Sequence, residues 1–267
     1  KWWAPLSGGQ PAWTALKLSP GSNMGGLNGG MTAAEVQDRV TTHAGGTADF
    51  VRLKDDVESW QTCDLHGAFV SRYGSPMLHS LLSHPDSSFE EPGGELIKSD
   101  IKTTLASTSF DGARFVVKRY NCKNAWHRLR LAVSKSRAEH SFWAARRFTR
   151  IGITTTSPVA WAQETSFGLR ARSWFVYEHT GNSIRADALN DGSDPQQIEQ
   201  MLSTMVQNLV RMRKHRLSHG DMKPPNLLIT PDRTVLLDLD GVRQHTDPKA
   251  CERALAKDTA RWIRWWE

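Results

Sequence analysis

The segment from His219 to Asp240, reading HGDMKPPNLLITPDRTVLLDLD, limits the possible folds of this chain more than any other. Two apolar runs, Leu227-Leu228-Ile229 and Val235-Leu236-Leu237, flank Thr230-Pro231-Asp232-Arg233-Thr234. Proline presets one backbone dihedral and Asp bonds the amides that follow it, so the pair predicts a β-hairpin. Setting Leu227 opposite Leu237 and Ile229 opposite Val235 places Asn226 opposite Asp238, with Cβ atoms ~5 Å apart. An amide oxygen and a carboxylate at the open end of a hairpin suit a hard cation such as Mg²⁺, which takes one or two protein oxygens. Asn226 and Asp238 are therefore candidate metal ligands. Asp240, two residues on along the same strand face, is an alternative or additional one.

Asp221 stands five residues before Asn226, with His219-Gly220 ahead of it and Lys223 two residues on. The spacing Asp-x-Lys-x-x-Asn is that of a kinase catalytic loop, in which the Asp accepts the proton of the substrate hydroxyl and the Asn holds metal. Asp221 and Lys223 are the candidate catalytic residues. Upstream, Phe115-Val116-Val117-Lys118 is an apolar strand ending in a lysine, at the position that holds the α- and β-phosphates of ATP. Ser136 to Arg150 predicts a helix closed by Gly152. On that helix Glu139, Phe142 and Trp143 share a face. Glu139 is the lone carboxylate between Gly112 and Gln163, so Lys118 is its expected partner. Glu178-His179-Thr180-Gly181 is placed as the hinge whose backbone would meet adenine, which adds Glu178 to the cofactor-binding candidates.

A chain of 267 residues, 39% hydrophobic and 23% charged, has the make-up of a soluble globular protein with room for a core. No run reaches the ~20 apolar residues of a membrane span, and no signal-peptide layout is visible. Cys63, Cys122 and Cys251 are odd in number and widely spaced, which suggests a reducing compartment with neither a disulfide framework nor a zinc site. Net charge is +6, but ten Lys or Arg and a single acid lie between Lys118 and Arg150. Such a stretch favours an anionic partner. Nucleic acid is excluded as that partner, because no recognition module accompanies the charge.

The expected organisation has four parts. Residues 1–48 read as a flexible leader rich in Gly, Pro, Ser and Thr; 49–94 as an extension without legible role; 95–178 as an N-lobe; 179–267 as a short C-lobe. Asp111-Gly112 predicts a hairpin turn. The loop before it, Ser99 to Thr104, has no glycine where a protein kinase has three, although its amides and hydroxyls remain able to cradle phosphate. Asp194-Pro195-Gln196-Gln197 marks a helix start. Ile198, Met201, Met205, Leu209 and Met212 then repeat at helical spacing as core.

On these residues the sequence resembles the bacterial lipopolysaccharide core kinases of the Kdo/heptose kinase type. The likeness covers about residues 95–267. It rests on Phe115 to Asn121, Ser136-Arg137-Ala138 with Glu139, Gly152-Ile153-Thr154 before Pro158, His219 to Lys223 with Asn226, Leu237 to Asp240, and Lys257-Asp258 to Trp265. The resemblance implies an α+β, bilobal protein-kinase-like fold with a β-rich N-lobe and a short, mainly helical C-lobe. It also implies ATP and Mg²⁺ as cofactors, and a lipopolysaccharide core or other anionic sugar as acceptor. Peripheral attachment at the cytoplasmic face of the inner membrane follows from that acceptor. A small-molecule kinase of the aminoglycoside or choline type and a non-catalytic pseudokinase scaffold are the alternatives.

Overall fold

Alternating apolar and polar residues between Val57 and Glu178 build one antiparallel sheet of seven strands. In chain order these are β1 (Val57–Gln61), β2 (Leu65–Val70), β3 (Glu95–Ser99), β4 (Thr103–Phe110), β5 (Ala113–Tyr120), β6 (Pro158–Ser166) and β7 (Leu169–Glu178). Their order across the sheet is β1-β2-β6-β7-β5-β4-β3. The computed structural model describes residues 56–121, 136–166, 169–190 and 193–266. The leader of residues 1–48 and positions 122–135 of the basic stretch lie outside the described residues. As expected, Asp111 and Gly112 form the β4–β5 turn. Both have positive φ, at 49° and 74°, which suits the right-handed twist of a two-residue hairpin.

Side-chain alternation gives the sheet two covered faces. On one lies α2 (Arg137–Arg150), with Phe142 and Phe148 fully buried in the core that Ala68, Val70, Tyr120, Trp161 and Phe175 share. The opposite face is covered by α1 (Pro76–Ser83), whose Leu78 and Leu82 pack on Phe69, Phe115, Val117 and Trp174. Residues 57–89 thus add two strands and a covering helix, a part that the sequence pattern left without a role. Asp86 fastens this segment from below the helix, accepting from Arg119 at 3.0 Å and from the Trp174 indole at 3.0 Å.

Beyond β7 the chain is mainly helical. It comprises α3 (Pro195–Lys214), α4 (Pro248–Trp266) and short strands β8 (Ile184–Arg185), β9 (Leu217–Ser218), β10 (Leu227–Ile229), β11 (Thr234–Leu236) and β12 (Arg243–Gln244). Asp194 caps α3 by accepting from the Gln196 amide at 2.9 Å, and Met201, Met205 and Met212 are buried on its inner face. The β10–β11 hairpin exists, but its register differs from expectation. Leu227 pairs with Leu236 and Ile229 with Thr234, so the loop shrinks to Pro231-Asp232. Thr230 sets it by bonding the Arg233 backbone and the Asp232 carboxylate. A one-residue slip changes which residue faces which; Asn226 now meets Leu237, whose amide donates to the Asn226 carbonyl at 2.8 Å. Among the described residues no helix is long and apolar enough to cross a membrane.

Candidate active site

The catalytic-loop residues are fixed by a closed ring of hydrogen bonds. The Asn226 side-chain amide donates to the Asp221 carbonyl at 2.8 Å and to its Oδ2 at 3.2 Å. Leu237, bonded to the Asn226 carbonyl, accepts in turn from His219 Nε2 at 2.9 Å. The Asp221 amide donates to His219 Nδ1 at 3.3 Å and closes the ring. These partners require a neutral imidazole protonated on Nε2. Burial agrees, since it pushes the His219 pKa below its ordinary value. His219 is thus a strut between the loop and the strand that precedes Asp238.

A second anchor comes from α4. Asp258 is 1% exposed and accepts the backbone N–H groups of His219 at 2.8 Å and Gly220 at 3.0 Å. Two loop amides and a buried carboxylate thereby satisfy one another. Gly220 has φ 84°, and a Cβ there would lie 2.4 Å from the Gly241 carbonyl oxygen, so only glycine fits between the two loops.

After β11 the backbone turns sharply. Asp238 takes a left-handed conformation, with φ 58° and ψ 61°, and a short 3₁₀ turn over Leu239–Gly241 follows. Asp238 and Asp240 therefore do not share a strand face. Lys118 reaches down from β5 and donates to Asp238 Oδ1 at 2.5 Å. Burial alone would lower the pKa of that ammonium, but Tyr120, Asp238 and Asp240 outweigh it and hold the pKa above the usual lysine range. Burial likewise works against the Asp238 carboxylate, yet the Lys118 charge keeps its pKa down at about 2. Asp240 is engaged by both Nε and Nη2 of Arg137 from α2, and the Arg137 guanidinium also lies over the Tyr120 ring.

A family model described as RIO domain matches residues 106–267, more than half of the chain. The chain belongs to the RIO domain family. This is an atypical kinase family. Among solved structures, the chain is similar to one described as WaaP in complex with acyl carrier protein. The two share 18% identity at a TM-score of 0.50, over 72% of this chain and 78% of that one. At that identity the likeness concerns the fold, which is α+β and kinase-like. No curated protein matches.

Within this RIO domain the eight expected site residues divide into three groups. Asp221, Lys223, Asn226, Asp238 and Lys118 are brought together, with Lys223 Nζ at 2.7 Å from Asp221 Oδ2. Asp240 is adjacent but held by Arg137. The expected Lys118–Glu139 pair is not formed: Lys118 bonds Asp238, and the Glu139 backbone amide caps onto Ser136 at 3.4 Å. The pKa of His66 on β2 is lowered by burial and by Arg170, with the Glu139 carboxylate opposing them. Glu178 sits directly opposite Phe115, on the face covered by α1, and its carboxylate accepts the Tyr73 hydroxyl. Its amide is taken by the Ser157 carbonyl at 3.0 Å. A cavity of about 310 Å³ lies beside the hinge, lined by Ala113, Arg114, Glu178, His179, Gly181 and Asn182.

The loop expected to cradle phosphate is closed on itself. Asp100 Oδ1 accepts the amides of Lys102 at 2.7 Å and Thr103 at 2.8 Å, and these two bonds hold the Asp100 pKa at about 2. A carboxylate thus occupies the donors that would have met an anion. The basic stretch is also not an open cationic face in its described part. Arg119 is paired with Asp86, Arg137 with Asp240 and Arg146 with Asp56. His219 as strut, Asp258, Arg137 and Arg261 are the site residues that sequence reasoning passed over. Asp258 did leave a signal: it interrupts the apolar stripe Cys251, Leu255, Trp262 at helical spacing, where a charge needs a buried partner.

Proposed function

We propose that this chain transfers the γ-phosphate of ATP to a sugar hydroxyl of the lipopolysaccharide inner core, of Kdo or heptose. The observation carrying this reading is the bonded ring that holds Asp221 and Asn226 in one orientation while Lys118 meets Asp238 above them. Asp221 orients the acceptor hydroxyl and takes its proton. Lys223 stabilises charge on the phosphoryl group, and Lys118 receives the α- and β-phosphates. The residues present fit Mg²⁺. Asn226 turns its NH₂ toward two oxygen acceptors, which leaves Oδ1 facing away from them, and Asp238 adds a carboxylate. Two such donors are the usual protein share for this ion. Asn226 and Asp238 would hold the ion, which would supply charge neutralisation to the phosphates. Asp240, already neutralised by Arg137, serves as a support and not as the principal ligand. The hinge backbone around Glu178 receives adenine.

The sugar acceptor and attachment to the inner face of the inner membrane rest on the sequence resemblance, and the 1–48, 49–94, 95–178, 179–267 division rests on composition and motif positions. Radiolabelled transfer from ATP onto purified core sugars, compared with soluble amino alcohols, tests the acceptor. Asp221→Asn is expected to lower turnover by about 10²–10⁴-fold while Mg-ATP still binds; unchanged turnover would remove Asp221 from the mechanism. One observation favours a second reading, a non-catalytic scaffold: Asp100 occupies the phosphate-loop amides. Absence of any Mg-ATP binding would decide for it.

A further inference from the structure

Two carboxylates stand two residues apart on the turn after β11, and Lys118 bonds only one of them. Lys118 and Tyr120 share a face of β5, because alternate residues of a strand point the same way. The buried Tyr120 ring seats two cations, with Lys118 Nζ 4.9 Å and the Arg137 guanidinium 4.5 Å from its centroid. Its hydroxyl is fixed by Ser141 Oγ at 2.8 Å. Each cation then takes its own carboxylate: Lys118 bonds Asp238, while Arg137 Nε and Nη2 converge on Asp240 Oδ2. Asp240 still lies near enough to act on the Lys118 ammonium. Arg137 is the first residue of α2, where the helix dipole disfavours a positive charge. Helix stability therefore does not call for arginine at that position. What the residue reaches from there is Asp240, and His140 holds the helix in that pose, its Nε2 2.8 Å from the Val242 carbonyl.

We propose that Arg137 is a positioning residue for nucleotide and metal: by occupying Asp240 it leaves Asp238 as the one carboxylate that Lys118 and a divalent ion meet. This rests on the kinase reading above and adds a residue of α2 to it. With Arg137 removed, two like charges would face Lys118. The lysine would be held more firmly against release to the phosphates, and a divalent ion would find one more of the carboxylate oxygens it prefers. Arginine suits the task because its donors form a rigid fork and its charge persists at any working pH.

A double-mutant cycle with Asp240→Asn tests this, read by calorimetric titration with Mg-ATP and by Mn²⁺ titration without nucleotide, followed by electron paramagnetic resonance. Arg137→Gln is expected to weaken Mg-ATP binding about tenfold and to tighten Mn²⁺ binding about threefold or more. In the Asp240→Asn background the same substitution is expected to change either affinity by less than about twofold. Arg137→Lys, which keeps the charge and loses the fork, is expected to fall between the wild type and Arg137→Gln. Urea midpoints are read alongside, because an arginine with only a structural role would cost stability and affinity alike in both backgrounds. An equal effect of Arg137→Gln with and without the Asp240 carboxylate overturns the proposal, and so does no effect in either. Mg-ATP binding to the wild type without coupling between positions 137 and 240 removes the proposal and leaves the kinase reading standing. A wild type that binds no Mg-ATP removes the kinase reading, and the Mn²⁺ cycle then decides by itself whether Arg137 screens Asp240 from a divalent ion.

Discussion

Gly220 and Gly241 touch backbone to backbone, and that contact sets how closely the catalytic loop approaches the turn carrying Asp238. At φ 84° an alanine at 220 is strained before any neighbour is considered, and its Cβ meets the Gly241 oxygen at 2.4 Å. Gly220→Ala is expected to destabilise the fold by about 3 kcal/mol or more, read as a lower urea midpoint with unchanged slope. A shift below about 0.5 kcal/mol would mean that the two loops are free to separate. His219 belongs to the same scale. Its two ring nitrogens are used by groups 18 residues apart in sequence on one side and two on the other, so it acts as a structural strut within the His-Gly-Asp triplet.

Helix α4 does more than close the C-terminal core, because Asp258 gives the catalytic loop its only buried carboxylate anchor among the described residues. Asp258→Ala leaves the buried His219 N–H unbonded, at about 1–3 kcal/mol, and the part-buried Gly220 N–H without its partner. Turnover is expected to fall together with thermal stability. A stable variant with full activity would show that the loop holds its own shape. One half of this arrangement can be read from residue spacing. Asp221, Lys223, Asn226 and Lys118 were legible because local spacing and strand chemistry fix them. The hairpin register was not, since Thr230 decides between a two- and a three-residue loop through side-chain bonds that the apolar pattern does not encode. The Lys118 partner was misread for a related reason. Glu139 has the right helix and the wrong neighbours, and the left-handed turn at Asp238 brings a nearer carboxylate.

At the scale of the whole molecule, residues 57–89 are part of the fold. They supply β1 and β2, and α1 seals the sheet face opposite α2. Leu82 is fully buried on the inner face of α1, so Leu82→Ala is expected to cost about 2–5 kcal/mol in chemical unfolding. A loss below about 1 kcal/mol would show that α1 is only loosely laid on the sheet. This region was illegible because its strands are short and its apolar residues answer to partners 90 or more positions away, as Ala68 answers to Trp161 and Phe69 to Ala160. The C-terminal part then meets the sheet through Lys118 and Asp238, and the central claim is that this junction receives Mg-ATP. The most direct measurement is a crystal structure with Mg²⁺ and a non-hydrolysable ATP analogue. The account predicts Lys118 released from Asp238 onto the phosphates, with the metal ~2.1 Å from Asn226 Oδ1 and an Asp238 oxygen. Nucleotide bound elsewhere, with the Lys118–Asp238 pair intact, would contradict it.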